Sequence, residues 1–109
     1  MNQNLGHLSP GRQRLVRLIQ RVNFGRVENL LIVGGEPVFK PAPRTVQTVK
    51  LGGDNDQRTE TGLEDFQLTS PVIDMLNQLT DLGDGRIERL DVRYGLPFSM
   101  EIEQDTQAA

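Results

Sequence analysis

The sequence predicts an α+β fold built from two αββ repeats, which form one antiparallel sheet of four or five strands with both helices on one face. Two observations support this prediction. A pattern of glycine, charged and aliphatic residues occurs in 25–37 and again in 85–97, at an offset of 60 residues. Each copy follows a segment with the apolar periodicity of an amphipathic helix. Because one helix on a two-stranded hairpin is marginal in water, we expect the copies to pair about a pseudo-two-fold axis.

The two helices are predicted from their N-caps and apolar stripes. Ser9 and Ser70 suit the N-cap position, and each is followed by a proline that suits the first helical position. These Ser-Pro pairs lie 61 residues apart, which predicts the loss of one residue between the second helix and its strand. Turns at 23–25 and 83–85 end the helices. The stripes comprise Leu15, Leu18, Ile19 and Val22 in the first helix and Val72, Met75, Leu76, Leu79 and Leu82 in the second.

The strands are predicted from period-two alternation after each helix. The repeated pattern reads G-R-[VI]-E-x-L-x-[IV]-x-x-G-x-P and places aliphatic residues on one face. Turns at 34–35 and 94–95 lead into second strands, where Pro37 and Pro97 fit a strand start or sheet edge. Phe98, Met100 and Ile102 alternate with polar residues. A further strand is predicted over 45–51.

One domain is expected over residues 1–109, because a chain of this length can bury a single core. Repeat one covers 9–51 and repeat two covers 63–103, where 63–68 forms a short extended lead. The segment 52–62 contains no apolar residue, which favours a flexible linker. Residues 104–109 form a polar tail.

The net charge of −3 conceals an asymmetry between the two halves. Residues 1–50 carry eight basic and two acidic side chains, a formal charge of +6, whereas residues 51–109 carry four basic and thirteen acidic ones, a formal charge of −9. This division predicts either a basic half that meets phosphate or two halves that meet each other.

Motifs for catalysis, cofactors and metals are not recognised. The chain has no cysteine and one histidine, His7, which precedes the first helix without a partner for acid–base work. Residues 54–56 have calcium-loop spacing, but Arg58 and Thr59 stand where that loop needs an oxygen ligand and a glycine. We therefore expect a protein that is not an enzyme and uses no cofactor. The absence of a signal-peptide or membrane-span pattern favours a cytoplasmic protein.

Arginines on the first helix are the candidate contact residues. Arg14, Arg17 and Arg21 follow the spacing i, i+3, i+7 opposite the apolar stripe, and Arg12 and Arg26 flank them. Three interpretations stay open: a solvated face, a protein contact, or a row of phosphate contacts. The acidic composition and the few aromatic residues make nucleic acid the alternative to protein.

The second helix strengthens the protein interpretation. Its outer face carries Asp74, Asn77, Gln78 and Asp81, so the two helices have complementary charge. This complementarity predicts pairing between repeats or between chains, with a homodimer as the expected form. Pairs of Arg and Glu at 26/28 and 86/88 predict matching ion pairs at the start of each central strand.

The combination of helix, glycine-started strand and glycine turn resembles the YezD-like family of very small bacterial proteins. The resemblance covers residues 15–38 and again 75–99. It implies a bacterial protein in which a unit of one helix and one hairpin is duplicated in tandem, and it implies no activity. The function predicted from the sequence is a non-enzymatic interaction or regulatory module that acts through protein contact. The alternative is a nucleic-acid-binding regulator that uses the basic first helix.

Overall fold

A computed structural model describes residues 7–49, 51–52 and 69–104. The predicted linker beyond Gly52, the lead at 63–68, the calcium-like segment at 54–56 and residues 105–109 lie outside these ranges. The described elements are, in order, α1 (Pro10–Val22), β1 (Gly25–Val33), β2 (Glu36–Val38), β3 (Arg44–Gln47), α2 (Ser70–Leu82), β4 (Gly85–Arg93) and β5 (Leu96–Gln104). All strand pairs are antiparallel, which confirms the predicted α+β class and sheet.

Capping residues fix where the helices begin and end. The Ser9 hydroxyl accepts a hydrogen bond from the Arg12 backbone N–H at 3.3 Å, as predicted for an N-cap. The helix α2 begins at Ser70 and has Thr69 as its N-cap, so the predicted N-cap at Ser70 is wrong by one residue. Both helices end at a residue with positive φ, Asn23 at 63° and Gly83 at 68°, whose N–H bonds back into the last turn.

The two helices lie 60 residues apart, at the same offset as the strands that follow them. α1 begins at Pro10 and α2 at Ser70, and each contains 13 residues. The buried pair Leu15-Val16 corresponds in position to the buried pair Met75-Leu76. The predicted offset of 61 is therefore wrong, because it matched leucine with leucine where burial matches Leu15 with Met75. No residue is lost between the second helix and its strand.

The central strands β1 and β4 pair along most of their length, and the sheet order is β2-β1-β4-β5, with β3 also paired to β1. The β1–β4 register contains reciprocal pairs: Gly25 faces Val92 while Ile32 faces Gly85. The turns are also reciprocal. The Gly35 N–H donates to the Gly83 carbonyl at 2.8 Å, and the Gly95 N–H donates to the Asn23 carbonyl at 2.9 Å. Each member of these pairs lies 60 residues from its counterpart, so each turn is bonded to the C-terminus of the other half's helix.

The hydrophobic core lies between the two helices and one face of the sheet. Leu18, predicted as part of the first stripe, packs only partly against this core, whereas Val16 is buried. The opposite face of β1 and β4 carries charged side chains and, on β1, the exposed Leu31 and Val33. The buried apolar residues are Leu15, Val16, Ile19, Val22, Val27, Leu30, Ile32, Val72, Met75, Leu76, Leu79, Ile87, Leu90 and Val92.

The two outer edges of the sheet differ in continuity. β5 is one strand of nine residues along β4, whereas the edge beside β1 is divided into β2 and β3. The strand predicted over 45–51 is observed only as Arg44–Gln47. Gln47 pairs with Gly25, the first residue of β1, and beyond it the Thr48 N–H donates to the Phe24 carbonyl at 2.7 Å.

Candidate protein-binding surface

The arginine face of α1 consists of Arg14, Arg17 and Arg21, on the side of the helix away from the core. Arg14 and Arg21 are exposed and Arg17 is half-buried. The guanidinium carbon of Arg14 lies 4.3 Å from the centre of the Phe39 ring, a cation–π contact that steadies the side chain over the 39–43 loop. This face is the exposed basic surface that the helical spacing predicts.

Arg12 is turned into the molecule and is not part of this face. Its Nη2 atom donates to the Gly35 carbonyl at 2.9 Å and to the Thr80 hydroxyl at 2.8 Å. Its Nε atom lies 3.5 Å from the Glu36 carboxylate, and only 19% of the side chain is exposed. The guanidinium therefore joins the start of α1 to the first turn and to the end of α2.

Arg26 is separated from the arginine face because it lies on the sheet. Its Nε donates to the Glu28 carboxylate at 2.7 Å, and Arg44 approaches the same carboxylate at 3.7 Å. The hydrogen bond from Arg26 lowers the pKa of Glu28 below the ordinary glutamate range, against some desolvation, and the positive charges of Arg26, Arg44 and Arg89 lower it further. The predicted ion pair at 26/28 is confirmed, as is the longer one at 86/88, at 3.9 Å.

The acidic face of α2 consists of Asp74, Asn77, Gln78 and Asp81, all of which are exposed. At the offset of 60 residues, Asp74 corresponds to Arg14, Asn77 to Arg17 and Asp81 to Arg21. Equivalent positions on the two helices thus carry arginine on α1 and aspartate or asparagine on α2. The predicted charge complementarity of the two helices therefore places arginine and aspartate at equivalent positions, 14/74 and 21/81.

Most charged side chains on the described sheet form ion pairs, Arg93 and Glu101 excepted, whereas four charged side chains on the outer faces of the helices do not. On the face of the sheet opposite the core, Arg86 pairs with Glu88 and Glu103, and Arg89 pairs with Asp91 at 3.0 Å. The Asp91 contact raises the pKa of Arg89 through its hydrogen bond and its negative charge. Four charged residues of the helices, in contrast, form no ion pair with any other described residue. These residues are Arg14, Arg21, Asp74 and Asp81.

An aromatic cluster at one end of the sheet was not predicted from the sequence. The rings of Phe24 and Tyr94 meet edge to face with centroids 4.8 Å apart, and Arg93 lies over the Phe98 ring at 4.1 Å. Tyr94 and Phe98 are each 62% exposed. Sequence reasoning could not find this cluster because Phe24 and Tyr94 are brought together only by the β1–β4 register.

The described ranges contain neither a metal-binding cluster nor a helix suited to span a membrane. No group of three or more His, Cys, Asp or Glu side chains in those ranges is arranged to hold a metal ion, and His7 is exposed. No described helix has the length and apolar character needed to cross a membrane.

No known protein family matches this chain. No curated protein sequence and no solved structure matches it either. The resemblance to the YezD-like family therefore stays a prediction.

Proposed function

We propose that this chain is a non-enzymatic interaction module that binds a protein partner through the arginine face of α1. The observation that carries the proposal is the segregation of unpaired charge. Among the described residues most charges of the sheet are ion-paired, while Arg14 and Arg21 present exposed guanidinium groups without a carboxylate partner. Exposed charges that are not neutralised within a molecule are available to steer and orient a partner.

A protein partner fits this face better than nucleic acid does. The two flanking arginines that would extend a phosphate-binding row, Arg12 and Arg26, are occupied by contacts inside the molecule. The neighbouring helix presents Asp74 and Asp81 on the same side of the sheet, where a polyphosphate backbone would be repelled. A protein surface with carboxylates at helical spacing would meet the arginines without that repulsion.

The proposal includes an internal duplication with pseudo-two-fold symmetry. The reciprocal β1–β4 pairs and the reciprocal bonds from Gly35 and Gly95 support it. In this view a unit that would otherwise pair with a second chain is paired within one chain, leaving the helix surface for a further partner. We propose a homodimer as the form and the bacterial cytoplasm as the setting, as the sequence predicts.

Charge reversal on the arginine face tests this function. The variant carries Arg14→Glu and Arg21→Glu, and the matched control carries Arg44→Glu and Arg93→Glu, the same change in charge on the opposite side of the sheet. Sedimentation velocity at low and high salt, with and without duplex DNA, measures both self-association and phosphate binding. We expect the wild type and the control to associate at low salt and the arginine-face variant to stay monomeric, while circular dichroism shows that all three fold.

Two outcomes would overturn the proposal. Equal association of the arginine-face variant and the wild type would show that this face makes no contact. A salt-sensitive shift of wild-type protein onto duplex DNA, lost in the arginine-face variant, would replace it with the nucleic-acid-binding regulator.

A further inference from the structure

We infer that the partner of the arginine face is the acidic face of a second copy of this chain, in a two-fold dimer where α1 of each copy lies antiparallel on α2 of the other. This inference rests on the proposed function and adds the identity of the partner and the register of the contact. The chain itself supplies the surface that the arginine face requires, since exposed carboxylates stand at the equivalent positions of α2.

The spacing of the charges matches between the two faces. Arg14 and Arg21 are seven residues apart on α1, and Asp74 and Asp81 are seven residues apart on α2. With a rise of 1.5 Å per residue, each pair spans about 10 Å along its helix. Two contacts can therefore form together, with Arg17 facing the amide side chains between the two aspartates.

The direction of the helices sets which residues meet. Each helix leads through a two-residue turn into its own strand, and β1 and β4 are antiparallel, so the helices run antiparallel within one copy. The bond from Arg12, near the start of α1, to Thr80, near the end of α2, agrees with this direction. A two-fold axis parallel to the helices preserves their direction and places α1 of one copy on α2 of the other, again antiparallel. Arg14 then faces Asp81 of the second copy and Arg21 faces Asp74, and the symmetry forms each contact twice.

Competing modes of self-association are opposed by like charges. A two-fold axis perpendicular to the helices would stack arginine face on arginine face. Pairing through the free edge of β5 would bring Glu101 and Glu103 of the two copies together, and charged side chains on an edge strand oppose such pairing. Contact between α1 and α2 of different copies is the arrangement that joins opposite charges.

Two double variants with the same net charge test which residues of α1 and α2 face each other in the dimer. The single variant Arg14→Asp should weaken the dimer at least about tenfold in Kd, since each substitution acts at two contacts. Adding Asp81→Arg should restore the Kd to within about threefold of the wild type, because the exchanged pair is again complementary. Adding Asp74→Arg instead gives the same net charge but leaves both altered residues facing like charges, and should not restore it. Sedimentation equilibrium measures the four dissociation constants, that of the wild type included, and urea unfolding verifies the fold.

The results separate this inference from the proposed function. Equal restoration by Asp81→Arg and by Asp74→Arg would overturn the register, because only net charge would then matter. Restoration by neither, in a protein whose association is lost on reversal of the arginine face, would overturn the α1–α2 contact and leave the proposed function standing. A wild type that stays monomeric at low salt would overturn the dimer.

Discussion

The turn after β1 and the turn after β4 have the same backbone arrangement but are closed by different side chains. At residues 34–35, the Gly34 N–H donates to the Asp84 carboxylate at 2.8 Å. At the equivalent residues 94–95, the Tyr94 ring packs edge to face on Phe24. Gly34 and Tyr94 both adopt positive φ, at 58° and 56°, so the tyrosine holds a conformation that favours glycine.

This comparison shows that the two turns share their main-chain bonds and differ in their side-chain contacts. Both turns donate a glycine N–H to the end of the opposite helix, whatever closes them from outside. The same separation applies to the helices, where buried positions keep apolar residues and exposed positions exchange arginine for aspartate. We therefore expect changes to the shared backbone arrangement to have the largest effects and changes to surface pairs the smallest.

Substitution of the glycines that begin the central strands gives the largest predicted effect on the free energy of unfolding. The effect is expected to differ between Gly25 and Gly85. Gly25 has a φ of 150°, and a Cβ atom there would lie 2.0 Å from the Val46 carbonyl oxygen. A Cβ on Gly85 would lie 2.8 Å from the Glu103 carbonyl oxygen and from the Leu82 side chain. We expect Gly25→Ala to reduce the free energy of unfolding by about 3 kcal/mol and Gly85→Ala by about 1 kcal/mol.

Urea unfolding of the two alanine variants measures this difference. The cause is the closer approach at Gly25, where φ is 150° and the carbonyl oxygen lies 2.0 Å from the added Cβ, whereas the closest atoms to a Cβ on Gly85 lie at 2.8 Å and include a leucine side chain that can move. Equal losses in the two variants would contradict this difference between the two strand starts.

Much of the backbone arrangement could be predicted from sequence, because periodicity and turn residues report on local structure. The stripe at Val72, Met75 and Leu76 and the glycine turns located both helices and four of the strands. The offset of 61 was wrong because Met75 and Leu76 are adjacent aliphatic residues, and identity alone cannot decide which one is equivalent to Leu15. Burial in the folded chain decides it.

The candidate surface was only partly predictable, because long side chains reach residues that are distant in sequence. Arg12 lies about 200° around the helix from Arg14, on the side of the buried Leu15, so helical spacing alone could have separated the two. Its bond to Thr80, 68 residues away, could not have been predicted. Arg26 could have been assigned to the sheet from its Glu28 partner, which is two residues along the same strand. The opposite charges at 14/74 and 21/81 were visible only after the offset was corrected to 60.

Arg12 gives the next largest effect, because its guanidinium joins three parts of the molecule. We expect Arg12→Met to reduce the free energy of unfolding by about 2 kcal/mol through loss of the hydrogen bonds to Gly35 and Thr80. The matched control is Arg21→Met on the same helix, an exposed position at which the change should stay within about 0.5 kcal/mol. Equal effects of the two changes in urea unfolding would mean that Arg12 does not hold the turn and the helices together.

Substitutions at the ion pairs of the sheet give the smallest predicted effect on stability. They compare Glu28 on β1 with Glu88 on β4. Because Arg26 lowers the pKa of Glu28 in the folded chain, its ionised form stabilises the fold above the unfolded pKa, and that contribution is lost as the pH falls through the lowered folded value. We expect Glu28→Gln to lower Tm at neutral pH and to converge with the wild type as the pH falls below the ordinary glutamate pKa of about 4.3. The control is Glu88→Gln, whose carboxylate lies 3.9 Å from Arg86 rather than 2.7 Å from an arginine. A Tm difference between Glu28→Gln and wild type that stays constant as the pH falls would show that the charge of Glu28 makes no contribution.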